Sequence, residues 1–329
     1  MHWLQNHWNR ITPLHLILFP ISLIFRAMVA LRRELYLSSF LASQQLLLPV
    51  IVIGNIKVGG TGKTPLTLAL AQQLIERGWH PLIVSRGYGR TSSRPQQAFA
   101  SSMAAQVGDE PLLMAQRDIC PVWVGADRVA TAYAALQAQP QCDVVLCDDG
   151  LQHYRLQRDV EIAVIDGTGY GNGLLLPAGP LREPVSRLHT VDAVVVNGGD
   201  TGEGQYKMRL TGEIFYNLLY PGQAASPADF YKPNIHAVAG IGQPQRFFHH
   251  LETLGITFTP HAFPDHHPYV AADLSFADCD AILLTEKDAV KCARFADARY
   301  WVLRVDAQID PALIDLILRK IAPDGQQTA

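Results

Sequence analysis

The sequence has few of the features that mark secreted, metal-binding or nucleic-acid-binding proteins. Five cysteines occur among 329 residues, an odd number without a C-x-x-C pair. This usage argues against a disulfide framework, and reduced core cysteines favour the cytoplasm. Lysine and arginine total 27 against 30 acidic residues, a net charge of −3. No global basic surface for a nucleic acid is therefore predicted, and nothing in the sequence indicates an obligate protein partner.

A long uninterrupted apolar run is also missing. The N-terminal segment is apolar between Arg10 and Arg26, but Pro20 interrupts it and its length falls short of the roughly 20 residues that a spanning helix needs. Polar residues recur in the segment at helical intervals: His15, Ser22, Arg26 and Arg33. This spacing predicts an amphipathic helix that lies in the membrane interface.

Charge separates the first 40 residues from the rest of the chain. Against the single Glu34, they contain four arginines: Arg10, Arg26, Arg32 and Arg33. This basic segment in an acidic chain predicts attraction to an anionic membrane surface. Two alternatives stay open, a signal peptide and a helix that packs on the protein's own core.

A glycine-rich loop follows the apolar strand Val50–Ile53 and precedes an apolar helical run. Its glycines allow backbone N–H groups to surround phosphates, Lys63 brings a charge to the β and γ oxygens, and Thr64 offers a hydroxyl to Mg²⁺. The predicted nucleotide-binding residues are Gly59, Gly60, Thr61, Gly62, Lys63 and Thr64. The strict pattern has glycine where this chain has Lys57, so the match is irregular.

Beyond the loop, short apolar strands alternate with helical runs. The strands are predicted at 81–85, 121–124, 143–147, 161–165 and 191–196. This alternation predicts an α/β fold with a mostly parallel sheet, helices on both faces and the site at the carboxyl ends of the strands. The predicted segments are an N-terminal interfacial region (1–40), a nucleotide-binding catalytic domain (41–203), a linker with a bridging strand (204–234) and a smaller C-terminal α/β domain (235–329).

Acidic residues stand where predicted strands end. Asp148 and Asp149 follow an apolar strand and are suited to hold Mg²⁺ beside the phosphates, although an Asp-Asp-Gly turn without metal is the alternative. Asp166 has the same position after the next strand and is equally well explained as a turn residue.

Two further segments carry polar side chains without a single local interpretation. Asp109 precedes Glu110 and Pro111, which is the pattern of a helix cap. His266 and His267 share a proline-bounded loop, where proton transfer or phosphate contact is favoured over metal binding because no metal-ligand spacing is present.

Seven ordered segments resemble the tetraacyldisaccharide 4'-kinase family, the lipid A 4'-kinases of Gram-negative bacteria. They are Gly54-Asn55 with residues 58–65, Ser85-Arg86-Gly87-Tyr88-Gly89, Gly108-Asp109-Glu110-Pro111, Asp148-Asp149-Gly150-Leu151-Gln152-His153, residues 179–184 (GPLREP), Pro264-Asp265-His266 and Thr285-Glu286-Lys287-Asp288. The likeness covers almost the whole chain and includes the irregular first position of the loop.

The resemblance implies a P-loop kinase that uses ATP and Mg²⁺ to phosphorylate the 4'-hydroxyl of tetraacyldisaccharide 1-phosphate, a lipid A precursor. It implies a location on the cytoplasmic face of the inner membrane. It also implies that Asp109 is the base and that His266 orients it, since His266 rather than His267 directly follows Pro264-Asp265. The other implied residues are Asp148 and Asp149 for the metal, and Arg128, His153 and Arg182 as candidate substrate contacts.

Three other functions fit parts of the pattern. A membrane-recruited switch ATPase usually has a lysine where this loop has Val58. A GTPase would need its guanine-reading lysine one place earlier than Lys287. A P-loop kinase of a soluble small molecule would leave the basic, apolar N-terminus unexplained.

Overall fold

The structure is a computed structural model that describes residues 7–8 and 11–322. Arg10 and the outer ends of segments 1–40 and 235–329 lie outside the described residues. The first helix, α1 (His15–Leu37), has 23 residues and continues through Pro20. The prediction that Pro20 interrupts the apolar segment is therefore wrong. Within the described part of the chain, α1 is the one helix long and apolar enough to cross a membrane by length and composition.

A nine-stranded sheet forms the centre of the first unit. Its strands are β1 (Val50–Gly54), β2 (Pro81–Ser85), β3 (Gln96–Ala98), β4 (Val122–Val124), β5 (Val144–Asp148), β6 (Val160–Asp166), β7 (Ala193–Asn197), β8 (Gln205–Thr211) and β15 (Asp306–Ile309). Their order is β15-β8-β7-β6-β1-β5-β2-β4-β3, parallel except for the two outermost strands. The predicted mostly parallel sheet is therefore confirmed.

Helices cover both faces of this sheet. They are α2 (Lys63–Ile75), α3 (Ala104–Val107), α4 (Asp109–Gln116), α5 (Arg128–Ala138) and α8 (Pro311–Ile321). Apolar residues of α2, α4 and α8 share one core, and those of α5 belong to the core on the other face. The central strands β1, β2, β5 and β7 are buried along their whole length, so their apolar sequences require cover on both faces of the sheet.

The second unit is built on a six-stranded sheet of order β10-β9-β14-β13-β11-β12. Its strands are β9 (Phe215–Asn217), β10 (Ala224–Ala225), β11 (Ile235–Ala239), β12 (Thr259–Ala262), β13 (Ala281–Thr285) and β14 (Tyr300–Leu303). Helices α6 (Pro244–Thr253) and α7 (Glu286–Cys292) contribute residues to two separate apolar clusters of this unit.

The chain passes between the two sheets twice. It leaves the first sheet after β8 and returns in β15, which pairs with β8 in antiparallel register. Helix α8 then places Leu313, Ile314 and Ile317 in the core of the first sheet. The division of the chain at residue 235 stays a prediction, and residues 306–321 pack with the first sheet.

Candidate active site

The phosphate loop, residues 59–64, connects β1 to α2 at the carboxyl edge of the first sheet. Gly62 has φ +97°, and a Cβ there would lie 2.5 Å from Asn197 Nδ2, so only glycine fits this position. Asn197 Nδ2 in turn donates to the Thr61 carbonyl oxygen at 3.0 Å, and Asn55 Nδ2 donates to Thr61 Oγ1 at 3.2 Å. Two asparagines at strand ends thus hold the loop, a role that local pattern did not predict for either residue.

Lys63 and Thr64 are the first two residues of α2, so the N-terminal end of this helix points into the site. Lys63 Nζ lies 3.5 Å from Asp149 Oδ1, and Arg182 Nη1 donates to the same carboxylate at 3.1 Å. Burial opposes ionisation of Asp149, but the charges of Lys63 and Arg182 outweigh it and lower its pKa to about 2. Asp149 is thus a carboxylate at neutral pH, and the structure brings these predicted site residues together.

Asp148 has a different environment from its neighbour. It is fully buried at the end of β5, where Thr67 Oγ1 and Ser85 Oγ donate to its two oxygens at 3.3 Å each. Burial and the nearby carboxylates of Glu110 and Asp149 raise its pKa to about 7. A buried carboxylate with acidic neighbours, as Asp148 is, is suited to a divalent cation.

The site as described offers two carboxylates to a metal, and no cluster of three or more His, Cys, Asp or Glu suited to a metal occurs among residues 7–8 and 11–322. Mg²⁺ in phosphoryl-transfer sites takes one or two protein carboxylates and completes its shell with phosphate oxygens and water. Asp148, Asp149 and the Thr64 hydroxyl therefore fit Mg²⁺ better than a metal held entirely by protein.

Asp109 contacts a histidine from the second unit. It is the first residue of α4, whose N-cap is Gly108, so Asp109 is not the cap that the local pattern predicts. His266 Nδ1 lies 3.1 Å from Asp109 Oδ2, whereas His267 pairs with Asp273 at 3.0 Å. Of the two adjacent histidines, His266 is the one that the structure brings to Asp109.

The second unit lies directly against the phosphate loop. A Cβ on Gly242 would be 3.4 Å from the backbone nitrogen of Gly60 and 3.6 Å from Asp265 Oδ2. Asp265 precedes His266, so the Asp109–His266 pair and the phosphate loop line one cleft between the two units. Side chains from both units can therefore act on a phosphoryl group held by the loop.

Arg128 and His153 lie beside the carboxylate pair. Arg128 is buried at the start of α5 and its Nη2 lies 3.4 Å from the backbone oxygen of Asp149. His153 Nε2 lies 3.8 Å from Asp127 Oδ1. Burial together with the charges of Arg128 and Arg158 lowers the pKa of His153 to about 4, so its imidazole is neutral at pH 7.

Lys57 is the residue that makes the loop motif irregular. Its Nζ donates to Asp166 Oδ1 at 2.5 Å and to Thr168 Oγ1 at 2.8 Å. Asp166 also pairs with Arg246 of the second unit at 3.2 Å. Asp166 is therefore the partner of two cations. Local pattern does not predict this link, because Lys57 and Asp166 are far apart along the chain.

Comparisons with known proteins agree with this geometry. The family model described as tetraacyldisaccharide-1-P 4'-kinase matches residues 14–322. The chain is 49% identical to the tetraacyldisaccharide 4'-kinase of Dechloromonas aromatica, over 99% of both chains. It is 48% identical to that of Methylobacillus flagellatus, over 97% of this chain and 96% of the relative.

A solved structure is similar over most of the chain. A crystal structure of LpxK from Aquifex aeolicus, an "apo" form in complex with ATP, matches with a TM-score of 0.78 and 29% identity, covering 92% of this chain and 98% of the other. The predicted α/β kinase fold and the predicted use of ATP are confirmed. These matches show that the chain belongs to the tetraacyldisaccharide-1-P 4'-kinase family.

Proposed function

We propose that this chain transfers the γ-phosphate of ATP to the 4'-hydroxyl of a tetraacyldisaccharide 1-phosphate, a step of lipid A biosynthesis, and that Asp109 is the base. The observation that carries the proposal is the pairing of Asp109 with His266 at 3.1 Å, in the cleft that also contains the phosphate loop. The family match over residues 14–322 favours this reaction over a switch ATPase, in which the attacking water would also need a proton acceptor.

The chemistry asks mainly for position and charge. Phosphoryl transfer passes through a loose transition state, so placing the acceptor and neutralising the phosphate oxygens supply most of the acceleration. Lys63, with its side chain largely buried at the start of α2, is the cation that meets those oxygens. Asp109 accepts the proton of the sugar hydroxyl late in the step, and His266 orients its carboxylate.

The metal would be held by Asp148, Asp149 and Thr64. Mg²⁺ supplies positive charge to the phosphate oxygens when it is bound. Held there, the cation would relieve the repulsion that Glu110 and Asp149 exert on Asp148. Arg182, paired with Asp149 at 3.1 Å, would lie beside it.

Arg128 and Arg182 are the proposed contacts for phosphates of the nucleotide or for the 1-phosphate of the lipid. Both lie at the carboxylate pair, and Arg128 has an Nε atom that is buried without a hydrogen-bond partner among the described residues. A buried guanidinium bonded only to carbonyl oxygens retains its charge for an incoming anion. His153, beside Arg128, is proposed to line the same region.

Helix α1 is proposed to lie in the cytoplasmic leaflet of the inner membrane. Two of its polar residues contact the protein: Ser22 Oγ donates to the Leu175 carbonyl oxygen at 2.7 Å, and Arg33 Nη2 donates to Thr190 Oγ1 at 3.2 Å. The helix is thus held along much of its length, which favours an interfacial position over a spanning one. Its exposed apolar residues include Leu16, Ile17, Ile24, Met28 and Leu31.

The test compares transfer of labelled phosphate from ATP to tetraacyldisaccharide 1-phosphate in detergent micelles with transfer to water. Wild type should phosphorylate the lipid, and His266→Asn and Asp109→Ala should each lower kcat by about 10²-fold or more. The matched control is His267→Asn, which removes the neighbouring imidazole and should retain wild-type activity. Hydrolysis of ATP without lipid phosphorylation by wild type would refute the proposed function.

A further inference from the structure

Lys287 reaches the proposed catalytic pair from the second unit. It is the second residue of α7, and its side chain is 18% exposed. Its Nζ lies 3.2 Å from Glu110 Oε1, 3.2 Å from Asp265 Oδ1 and 3.3 Å from His266 Nε2.

These three contacts determine where the imidazole proton lies. A lysine ammonium has three N–H donors and no acceptor, so each of its partners must accept. His266 Nε2 is therefore unprotonated, and the proton of the neutral ring is on Nδ1, from which it donates to Asp109 Oδ2 at 3.1 Å. The contact at Nε2 thus fixes the hydrogen bond at Nδ1.

We propose that Lys287 is a positioning residue that holds His266 as the neutral Nδ1-protonated tautomer and so keeps Asp109 an effective proton acceptor. This proposal rests on the proposed roles of Asp109 and His266. Lys287 acts through His266. The Nζ atom of Lys287 contacts residues of both units.

The charges around His266 lead to an effect on pH dependence. The groups that face the ring are Asp109 from α4, Asp265 from its own loop at 3.9 Å, Lys287 from α7 and the ring of Tyr88 at 5.2 Å. A second proton on Nε2 would put an imidazolium 3.3 Å from an ammonium. The charge of Lys287 therefore opposes a proton on Nε2.

The lysine itself stays charged. Burial acts against its ammonium form, but the carboxylates of Glu110 and Asp265 outweigh burial and raise the pKa of Lys287. Asp109 beside a neutral imidazole accepts a proton more readily than a carboxylate paired with imidazolium. Activity should consequently extend further into the acid range than it would if His266 were free to take a second proton.

A second cation links the same two helices and provides a matched control. Arg117, just past the last residue of α4, donates through Nη2 to Glu286 Oε2 at 2.8 Å and to the Val305 carbonyl oxygen at 2.6 Å. It joins α4 to the second unit as Lys287 does, but at the other end of α4, away from the Asp109–His266 pair. If the loss of Lys287 acted only by loosening the contact between the two units, substitution of Arg117 should have the same effect on activity.

The experiment measures kcat/KM for tetraacyldisaccharide 1-phosphate between pH 5.5 and 9 in detergent micelles. In Lys287→Met the acid limb of the profile should move up by about one pH unit, the size expected for loss of a neighbouring charge. Lys287→Arg should restore the wild-type profile, and Arg117→Met should lower the melting temperature without moving the limb. An unmoved limb in folded Lys287→Met, or an equal shift in Arg117→Met, would overturn the proposal.

A second measurement does not depend on turnover. In protein labelled with ¹⁵N-histidine, the Nε2 signal of His266, assigned by its loss in His266→Asn, should be that of an unprotonated nitrogen at pH 7.5. In Lys287→Met it should move toward the average of the two tautomers. A protonated Nε2 in wild type would refute the inference, whereas a wild type that never phosphorylates lipid would refute the proposed function and leave the tautomer result intact.

Discussion

Helices α1 and α2 are both rich in leucine and isoleucine, yet these residues are buried in α2 and mostly exposed in α1. In α2, Leu66 and Leu70 are fully buried. In α1, Leu16 is 82% exposed and Ile24 is 62% exposed. The buried residues of α1 are His15 and Ser22. The apolar content of a helix predicts that its side chains leave water. Whether they pack inside the protein or remain on its surface for another apolar partner depends on which side of the helix is hydrogen-bonded to the protein.

The largest expected effect concerns the N-terminal end of α2. Lys63→Ala should lower kcat on the order of 10³-fold, because the lysine stabilises charge on the transferring phosphoryl group. Sedimentation with anionic vesicles should not change, since α1 is intact. The control is Lys320→Ala, which removes a surface lysine paired with Asp192 at 2.7 Å. Normal kcat in a folded Lys63→Ala variant would contradict the role assigned to this end of the helix.

Replacing an apolar residue by alanine should destabilise the protein in α2 but not in α1. Leu70→Ala should lower the free energy of unfolding by about 3 kcal/mol, because it opens a cavity in the core of the first sheet. Ile24→Ala should change it by less than about 0.5 kcal/mol, since the side chain is mostly exposed. Chemical denaturation of both variants in detergent measures the difference. Equal losses would mean that α1 packs its apolar side on protein.

Membrane binding should depend on α1 and on salt. Arg26→Gln with Arg32→Gln should weaken binding to anionic vesicles by about 2 kcal/mol at low salt, about 1 kcal/mol for each charge. Binding to neutral vesicles should be nearly unaffected, and high salt should remove the difference. Partition coefficients from sedimentation at two salt concentrations provide the measurement. Identical partitioning of wild type and variant would indicate that these arginines do not meet the headgroups.

The smallest expected effect concerns His153, which is partly buried and faces the charges of Arg128 and Arg158. The pKa of His153 is lowered to about 4 in the folded protein, below its ordinary value. The unfolded chain thus binds more protons as pH falls from about 6.5 to 4, and folding stability is lost in that window. His153→Gln should reduce this loss by on the order of 1 kcal/mol, measured as melting temperature against pH. An unchanged acid slope would contradict the assignment.

The sequence predicted the parts of the site that depend on local pattern or on ordered motifs. The glycine loop with Lys63 and the pair Asp148–Asp149 follow strands, and the proximity of Asp109 to His266 came from the family resemblance. The structure places each of these side chains at the cleft, and the chemical roles of the individual residues stay predictions.

Other features depend on contacts between distant residues that local pattern does not encode. Lys57 was only an irregularity in the motif until the fold brought it to Asp166. The spacing of His15 and Ser22 predicted a polar face on α1, but periodicity does not say which way a face points. Strand β15 is short and partly polar at the edge of a sheet, so its sequence gives little indication that the chain returns there.

The return of the chain to the first sheet also orders events during synthesis. Residues 306–321 supply an edge strand and three core side chains to the sheet that holds the phosphate loop. The ribosome makes them after the whole second unit, so that unit can fold while the first sheet still lacks its edge. The sheet that holds the phosphate loop therefore lacks this edge strand and these core side chains until residues 306–321 have been made, after the whole second unit.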